Sequence, residues 1–265
     1  MIESLHSPHV ARVKALIGSR GVKERRHSGF FIAEGLQAAR EALTSHGAPF
    51  IKSLYVTSAG LLKLSDFDLN EIDVVEVTDA VMAEMTSTVT PQGVLALCVL
   101  PRQETSELAA LNSKRVLRVV YLHEIQDPGN AGTILRTADA MGVDAVVTSP
   151  GSVDMYSPKV VRATAGSLWH VPLFESIPFA ELASLLPTAT PLLMSSHAKK
   201  SIMDLALEDS YISIFGNEAR GVDASALGSE KIIEVTIPMA GRAESLNLSA
   251  AASIVIFTLS RKVAG

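Results

Sequence analysis

The sequence predicts an α/β protein in two parts: a small N-terminal α/β domain and a larger C-terminal α/β domain on a mostly parallel sheet. Three observations predict it. Short apolar runs (LRVVYL, DAVVTS, PLLMSS, ISIFG) alternate with helix-length segments through the second half, the pattern of strand–helix–strand units. These runs are apolar throughout, as strands covered on both faces are. Between the halves, residues 101–115 (PRQETSELAALNSKR) are polar and lack an apolar face. They read as a linker over 104–114, dividing domains at 1–103 and 115–265.

The elements follow in order. Residues 8–18 form a short helix with Val10, Val13, Leu16 and Ile17 on one side. GSRGVKERRHSG is basic and flanked by glycines, and reads as an exposed loop. FFIAEG is a strand ending at Gly35. LQAAREALTSHG is a helix whose Leu36, Ala39, Ala42 and Leu43 face inward and whose stop is Gly47. IKSLYVTS and DVVEVTD are strands, with a short helical turn from Asp79. GVLALCVL is wholly apolar and therefore central. In the second half LRVVYL, DAVVTS, PLLMSS, ISIFG and IIEVTIPM are strands. NAGTILRTADAMG, ending at Gly142, and SPKVVRATAGSL are helices; FAELASLL follows them. The last stretch, IPMAGRAESLNLSAAASIVIF, is a strand end, a glycine-containing loop and an alanine-rich helix with Ser245 at its N-cap.

Composition narrows the class. Of 265 residues 48% are hydrophobic and 19% charged, so a sizeable core is expected. The single cysteine, Cys98, excludes an internal disulfide and a cysteine-cluster metal site, and reads as a small buried hydrophobe. His6, Arg12 and Lys14 interrupt any signal-peptide core. The weakly polar run at 248–259 is shorter than the about 20 residues a bilayer requires. A soluble cytoplasmic protein with no membrane partner is expected. Net charge is −5, but it is unevenly spread: residues 1–40 carry seven Lys/Arg against three Asp/Glu, and the rest carry 16 against 25. The excess at Arg12, Lys14, Arg20, Lys23, Arg25 and Arg26 suits either a solvated helix and loop or a phosphate-contacting patch.

Three loops stand at the C-terminal ends of expected strands, the edge where open parallel sheets bind ligands. HEIQDPGNAG follows LRVVYL, GNEARG follows ISIFG, and MAGRAESLN follows IIEVTIP. In the first, Asp127-Pro128-Gly129-Asn130 is turn chemistry, and Asn130 can cap the next helix. On that helix Ile134, Ala138 and Met141 mark the core side. Arg136 lies two residues from Ile134, about 200° around, and points outward. The second loop sets Asn217, Glu218 and Arg220 between glycines; the third holds Arg242, Glu244, Ser245 and Asn247. No glycine-rich dinucleotide loop, Walker loop, zinc-protease histidine pair or nucleophile elbow is present.

On these motifs the chain resembles the SpoU class of RNA ribose 2′-O-methyltransferases, in the knotted SPOUT superfamily. HEIQDPGNAGTILRTADAMGV, FGNEARGVD and IPMAGRAESLNLSAAASIVIF resemble its three motifs in order and spacing over residues 117–262. PKVVRATAGSLWHVPL, with Arg162, is similar to a segment of ribosomal-RNA members. ARVKALIGSRGVKERRHSGFFIAEGLQAAREAL is similar to the family's substrate-binding domain, whose fold is that of a small RNA-binding ribosomal protein. The resemblance implies a C-terminal trefoil knot, S-adenosylmethionine as cofactor, no metal, an RNA substrate of ribosomal type, and a homodimer formed through the C-terminal domain. It implies that Gly216, Asn217, Ile237, Met239 and Leu246 line the cofactor. It assigns Asn130, Arg136, Glu218, Ser245 and Asn247 to the catalytic motifs, and Arg12, Lys14, Arg25, Arg26 and Arg162 to RNA contacts. Arg136 enters either as a base or as the group that binds substrate phosphate and orients the hydroxyl; a guanidinium stays ionised to beyond about pH 12. Glu218 suits ordering of the loops better than proton abstraction. Transfer RNA or a base as target, and a catalytically silent RNA-binding assembly factor, are the alternatives.

Overall fold

The computed structural model describes residues 1–44, 50–205, 209–228 and 231–262. Gly47, the expected helix stop, lies outside them. The chain divides into two compact units: Met1–Arg102 with Asp154–His170, and Gln103–Val153 with Val171–Gly265.

The N-terminal unit holds α1 (Pro8–Ile17), α2 (Gly21–Ser28), β1 (Phe30–Glu34), α3 (Leu36–Thr44), β2 (Ile51–Val56), α4 (Ser58–Leu62), β3 (Val74–Glu76), α5 (Asp79–Met85) and β4 (Val94–Val99). The sheet order is β1-β4-β2-β3. The wholly apolar β4 is interior and antiparallel to both neighbours, while β2 and β3 run parallel. Ser7 caps α1, accepting from the Val10 amide, with Pro8 in the first turn. Val10, Val13 and Leu16 then pack on Ile32, Tyr55 and Met82 to form one core layer. Cys98 is fully buried, and burial pushes its thiol well above the ordinary range, so it is an inert packing residue.

The basic stretch expected as a loop is the helix α2. Local composition hid this, because the segment has almost no apolar face. One buried side chain supplies the anchor: Arg25 is 4% exposed and donates to the Leu16 carbonyl and to the Asp154 carboxylate at 2.8 and 2.5 Å. Gly29, with φ of 72° in the left-handed region, ends the helix and returns its amide to the Arg25 carbonyl. Residues 154–170 join this unit through α8 (Pro158–Ala163) and a following 3₁₀ turn at Ser167–Trp169. Phe31 meets the rings of Tyr156 and Trp169 at 5.0 and 5.8 Å, and the Trp169 indole donates to the Ala38 carbonyl. On α3 the buried residues are Ala38, Ala39 and Ala42, while Leu36 and Leu43 are only half-buried.

The C-terminal unit begins earlier than expected. Within the anticipated linker lie α6 (Thr105–Ala110) and a 3₁₀ turn at Leu111–Ser113. Leu108 is fully buried in the C-terminal core, and a single anchor leaves no periodicity to read. The unit continues with β5 (Arg118–Leu122), α7 (Pro128–Ala140), β6 (Ala145–Thr148), β7 (Leu173–Phe174), α9 (Phe179–Leu185), β8 (Thr190–Met194), β9 (Tyr211–Phe215), β10 (Ile233–Val235) and α10 (Leu248–Lys262). Its six strands are all parallel in the order β10-β8-β9-β5-β6-β7. The chain winds outward from β5 through β6 and β7, then returns to the other side of β5. The order therefore reverses at the β5–β9 pair, the kind of switch point where parallel sheets open a crevice. Among its described strands, β7 alone was not expected, because two residues carry no period. Among the described residues no helix is long and apolar enough to cross a membrane.

Candidate active site

The loops after β5, β9 and β10 meet at the C-terminal edge of the parallel sheet. The loop after β5 turns sharply at Glu124, a non-glycine residue at φ of 50°. That conformation costs energy unless neighbours over-determine it, and they do. The Glu124 amide donates to Ser149 Oγ at 2.7 Å, while its carbonyl accepts from the Asn217 and Gln126 side chains at 2.8 and 3.0 Å. Asp127 then caps α7, accepting from the Asn130 amide at 2.7 Å with Pro128 in the first turn. Asn130, expected as a possible cap, lies inside the first turn instead. Its side chain is thereby free to bridge loops.

That bridge is the centre of the site. Glu218, from the loop after β9, accepts from the backbone amides of Gln126 and Asp127 at 3.1 and 3.0 Å and from the Asn130 side-chain amide at 3.4 Å. Asn130 Oδ1 in turn accepts from the Asn247 side-chain amide at 3.1 Å. Asn247 also caps α10: its Oδ1 accepts from the amides of Ser249 and Ala250 at 2.9 and 3.3 Å. The cap of α10 is therefore Asn247 rather than Ser245, because the helix starts two residues later than the small-residue pattern implied. Burial tends to raise the Glu218 carboxyl, but the amides of Asp127 and Gln126 and the Asn130 side chain outweigh it and hold it below its ordinary value. It is an anion that ties the first and second loops together, and Asn130 and Asn247 extend the tie to the third.

Beside this chain lies a cleft of about 410 Å³ at the ends of β8, β9 and β10. All five residues expected to line a cofactor lie along it: Gly216, Asn217, Ile237, Met239 and Leu246. Gly216 is required by its own loop, since a Cβ there would stand 2.5 Å from the Gly221 carbonyl carbon. The Asn217 side chain is spent on the loop as well, accepting from the amides of Ala219 and Arg220 and donating to Glu124. Met239 and Leu246 are 39% and 38% exposed at the cleft, apolar surface that a ligand would cover. Among the described residues the amides of Ile237, Met239 and Leu246 have no protein acceptor. A cleft with apolar walls and unpaired backbone donors fits an adenosine-bearing ligand held by main-chain groups. Ser195 and Ser196 also line it. The sequence reading passed over them, although their place directly after an apolar strand marked the same sheet edge.

Of the expected catalytic residues, Glu218 and Ser245 line the cleft, and Asn130 and Asn247 brace it. Arg136 does not reach it within the chain. It is exposed on α7, beside Thr137, whose hydroxyl meets Ser253 of α10 at 3.1 Å. Its outward direction agrees with the helical phase, since Ile134 and Ala138 are buried while Met141 is half-buried. Among the expected RNA contacts, Arg12 and Arg26 are exposed. Lys14 is exposed and paired with Glu84, and Arg162 is half-exposed and paired with Glu34. Arg25 is a correction: enclosed by Asp154 and the Leu16 carbonyl, it is a structural ion pair with no surface to offer a phosphate. Among the described residues no cluster of three or more His, Cys, Asp or Glu is arranged to hold a metal ion.

Comparison with known proteins identifies the family. Residues 117–257 match the SpoU rRNA Methylase family, and residues 8–96 match a family described as MRM3-like substrate binding domain. The chain is 32% identical over 244 residues to the 23S rRNA (guanosine(2553)-2′-O)-methyltransferase RlmP of Bacillus subtilis, covering 89% of this chain and 91% of that one. It is 26% identical over 259 residues to a 23S rRNA (uridine(2479)-2′-O)-methyltransferase of Streptomyces viridochromogenes, covering 94% and 88%. Its fold matches the crystal structure of an AdoMet-bound rRNA methyltransferase from Sinorhizobium meliloti with a TM-score of 0.83 at 27% identity, over 98% and 97% of the two chains. The chain belongs to the SpoU rRNA methylase family.

Proposed function

We propose that this protein is an S-adenosylmethionine-dependent methyltransferase acting on a ribose 2′-hydroxyl of ribosomal RNA in the cytoplasm. One observation carries the reading: three loops at one sheet edge, tied by Glu218, Asn130 and Asn247, border a cleft with unpaired backbone donors. The naming of relatives as 23S rRNA 2′-O-methyltransferases supports the substrate, as does the match of residues 8–96 to a substrate-binding family. S-adenosylmethionine, when bound, supplies a methyl group already activated on sulfur, so positioning contributes much of the acceleration. Gly216, Ile237, Met239 and Leu246 would hold it through main-chain groups and apolar contact. Glu218, as a low-pKa anion committed to loop amides, orders the site and moves no proton. Ser245, exposed at the cleft, is available to orient the ribose hydroxyl. Arg136 holds the substrate phosphate and aligns the hydroxyl.

The same reading includes a trefoil knot and a homodimer. The hydrogen-bonded chain joining three separated loops suits a threaded segment. On α10, Ile254 and Phe257 are 42% and 54% exposed, an apolar strip that suits a partner surface. In a dimer, Arg136 of one copy would serve the cleft of the other, which fits its absence from the lining of its own. The test is incubation with methyl-labelled S-adenosylmethionine and ribosomal RNA, followed by mapping of the product. Label on a ribose 2′-oxygen of ribosomal RNA is expected. Label on a base, or on transfer RNA alone, overturns the reading.

A further inference from the structure

A second cavity, of about 350 Å³, lies wholly within the N-terminal unit, where the end of β1 meets α8. Glu34 lines it, is 5% exposed, and its carboxylate takes four donors. It accepts from the Ser87 amide at 3.0 Å, the Ser87 hydroxyl at 2.7 Å, the Thr88 hydroxyl at 2.6 Å and Arg162 Nη1 at 3.5 Å. Arg162 Nη1 also donates to Ser87 Oγ at 3.0 Å. The guanidinium is thus pinned through one nitrogen. Among the described residues its Nε and Nη2 have no partner; the side chain is 40% exposed and lines the cavity. Across the cavity, Gln92 Oε1 accepts from the Leu36 amide at 2.7 Å. That bond fixes the side-chain amide and leaves its nitrogen as a donor. Gly35, at φ of 103°, keeps the floor clear: a Cβ there would stand 3.2 Å from Gln92 Oε1.

The unspent groups of Arg162 and Gln92 are therefore donors: one edge of a pinned guanidinium and one oriented amide. They call for a ligand with two adjacent acceptors. A phosphate has them, but the buried Glu34 beneath Arg162 cancels most of the charge that would attract an anion. A guanine presents O6 and N7 side by side without charge, and a bidentate Arg–guanine pair is the commonest specific base contact. Proteins that read RNA sequence do so mainly on single-stranded, splayed-out bases. We infer that this cavity takes one unstacked guanine of the substrate RNA, with Arg162 on its O6/N7 edge and Gln92 adding a donor. The inference rests on the reading of the protein as an RNA methyltransferase, and it assigns a sequence-reading site apart from the methyl-transfer chemistry.

The full-length protein is titrated with single-stranded hexanucleotides: hexa-adenylate, and hexa-adenylate with one guanosine, one inosine or one 7-deazaguanosine. Guanosine and inosine, which share O6 and N7, are expected to tighten binding about tenfold over adenosine alone, and 7-deazaguanosine to lose that gain. Arg162→Lys keeps the charge and abolishes the fork. Gln92→Glu keeps the oxygen that serves Leu36 and abolishes the donor; it disturbs no buried ion pair, so it reports even if Arg162→Lys folds poorly. Both are expected to remove the guanosine preference. Both are also expected to raise KM for ribosomal RNA with kcat and S-adenosylmethionine affinity unchanged. Equal binding of all four oligonucleotides overturns the inference. So does a preference that survives Gln92→Glu, or one that inorganic phosphate competes away. Wild-type protein that prefers guanosine yet methylates no RNA would overturn the methyltransferase reading and leave the guanine site standing.

Discussion

Glu218 divides the roles of charge at the site. Its carboxyl is held below the ordinary value of 4.5 by loop amides and Asn130, against the opposing effect of burial. A depressed carboxyl stabilises the fold fully above its unfolded pKa, and the contribution disappears as pH falls through the folded value. Stability in urea unfolding should therefore be flat with respect to Glu218 above about pH 5 and decline as pH falls below the ordinary carboxyl value of 4.5, as unfolding midpoints measured across that range would register. Glu218→Gln keeps an acceptor for Asp127 and Asn130 and turns a donor toward the Gln126 amide. It should cost about 1 kcal/mol in urea unfolding, a modest figure because the side chain is exposed. Arg136 gives the complementary outcome. Arg136→Ala should leave folding and cofactor binding intact and lower kcat for methyl transfer by at least about a hundredfold, the loss typical of one transition-state contact. Retained activity in that variant would remove Arg136 from catalysis. The phase of Arg136 was legible in sequence because helical periodicity is local. The spending of Asn130 and Asn247 on each other was not, since they lie 117 residues apart.

At the scale of the element, α2 shows how a helix with no apolar face is held. Its buried group is Arg25, paired with Asp154 and capped by the Leu16 carbonyl. Removing one partner of a buried ion pair strands the other, so Arg25→Ala should destabilise the protein by about 3–5 kcal/mol in denaturant unfolding. Arg26→Ala, one residue on, is exposed. It should leave stability within about 0.5 kcal/mol while reducing the salt dependence of RNA binding by about one unit of slope. The contrast separates a structural arginine from a phosphate contact within one basic run. Composition treated the two alike, because burial is decided by what lies across the fold, here a residue 129 positions away. The helix α6 teaches the same lesson in reverse: a segment read as linker is fixed by Leu108 entering a distant core.

For the whole molecule, the proposed dimer makes the site depend on two chains. The exposed strip of Ile254 and Phe257 on α10 is the surface that the proposal assigns to it. Phe257→Glu should convert the protein to a monomer by light scattering and abolish methyl transfer, while leaving the ultraviolet circular dichroism of the fold unchanged. A wild-type protein that is monomeric at assay concentration and fully active would overturn the arrangement.

By itself the sequence determined the α/β class, the central place of VLALCV in its sheet, and the three loops that border the cleft. These follow from short-range rules: apolar runs make buried strands, and ligand loops sit where those strands end. The family's motifs added the chemistry of the loops. Only the tertiary structure decided which polar side chains are spent within the fold and which are left for a ligand. Arg25, Asn217 and Glu34 are consumed by partners far away in sequence, whereas Arg162 is left half free. The physical reason is that a hydrogen bond between distant residues stabilises by about 1 kcal/mol without leaving any local pattern. Its existence depends on the packing of the whole chain, and so does the meaning of each charge.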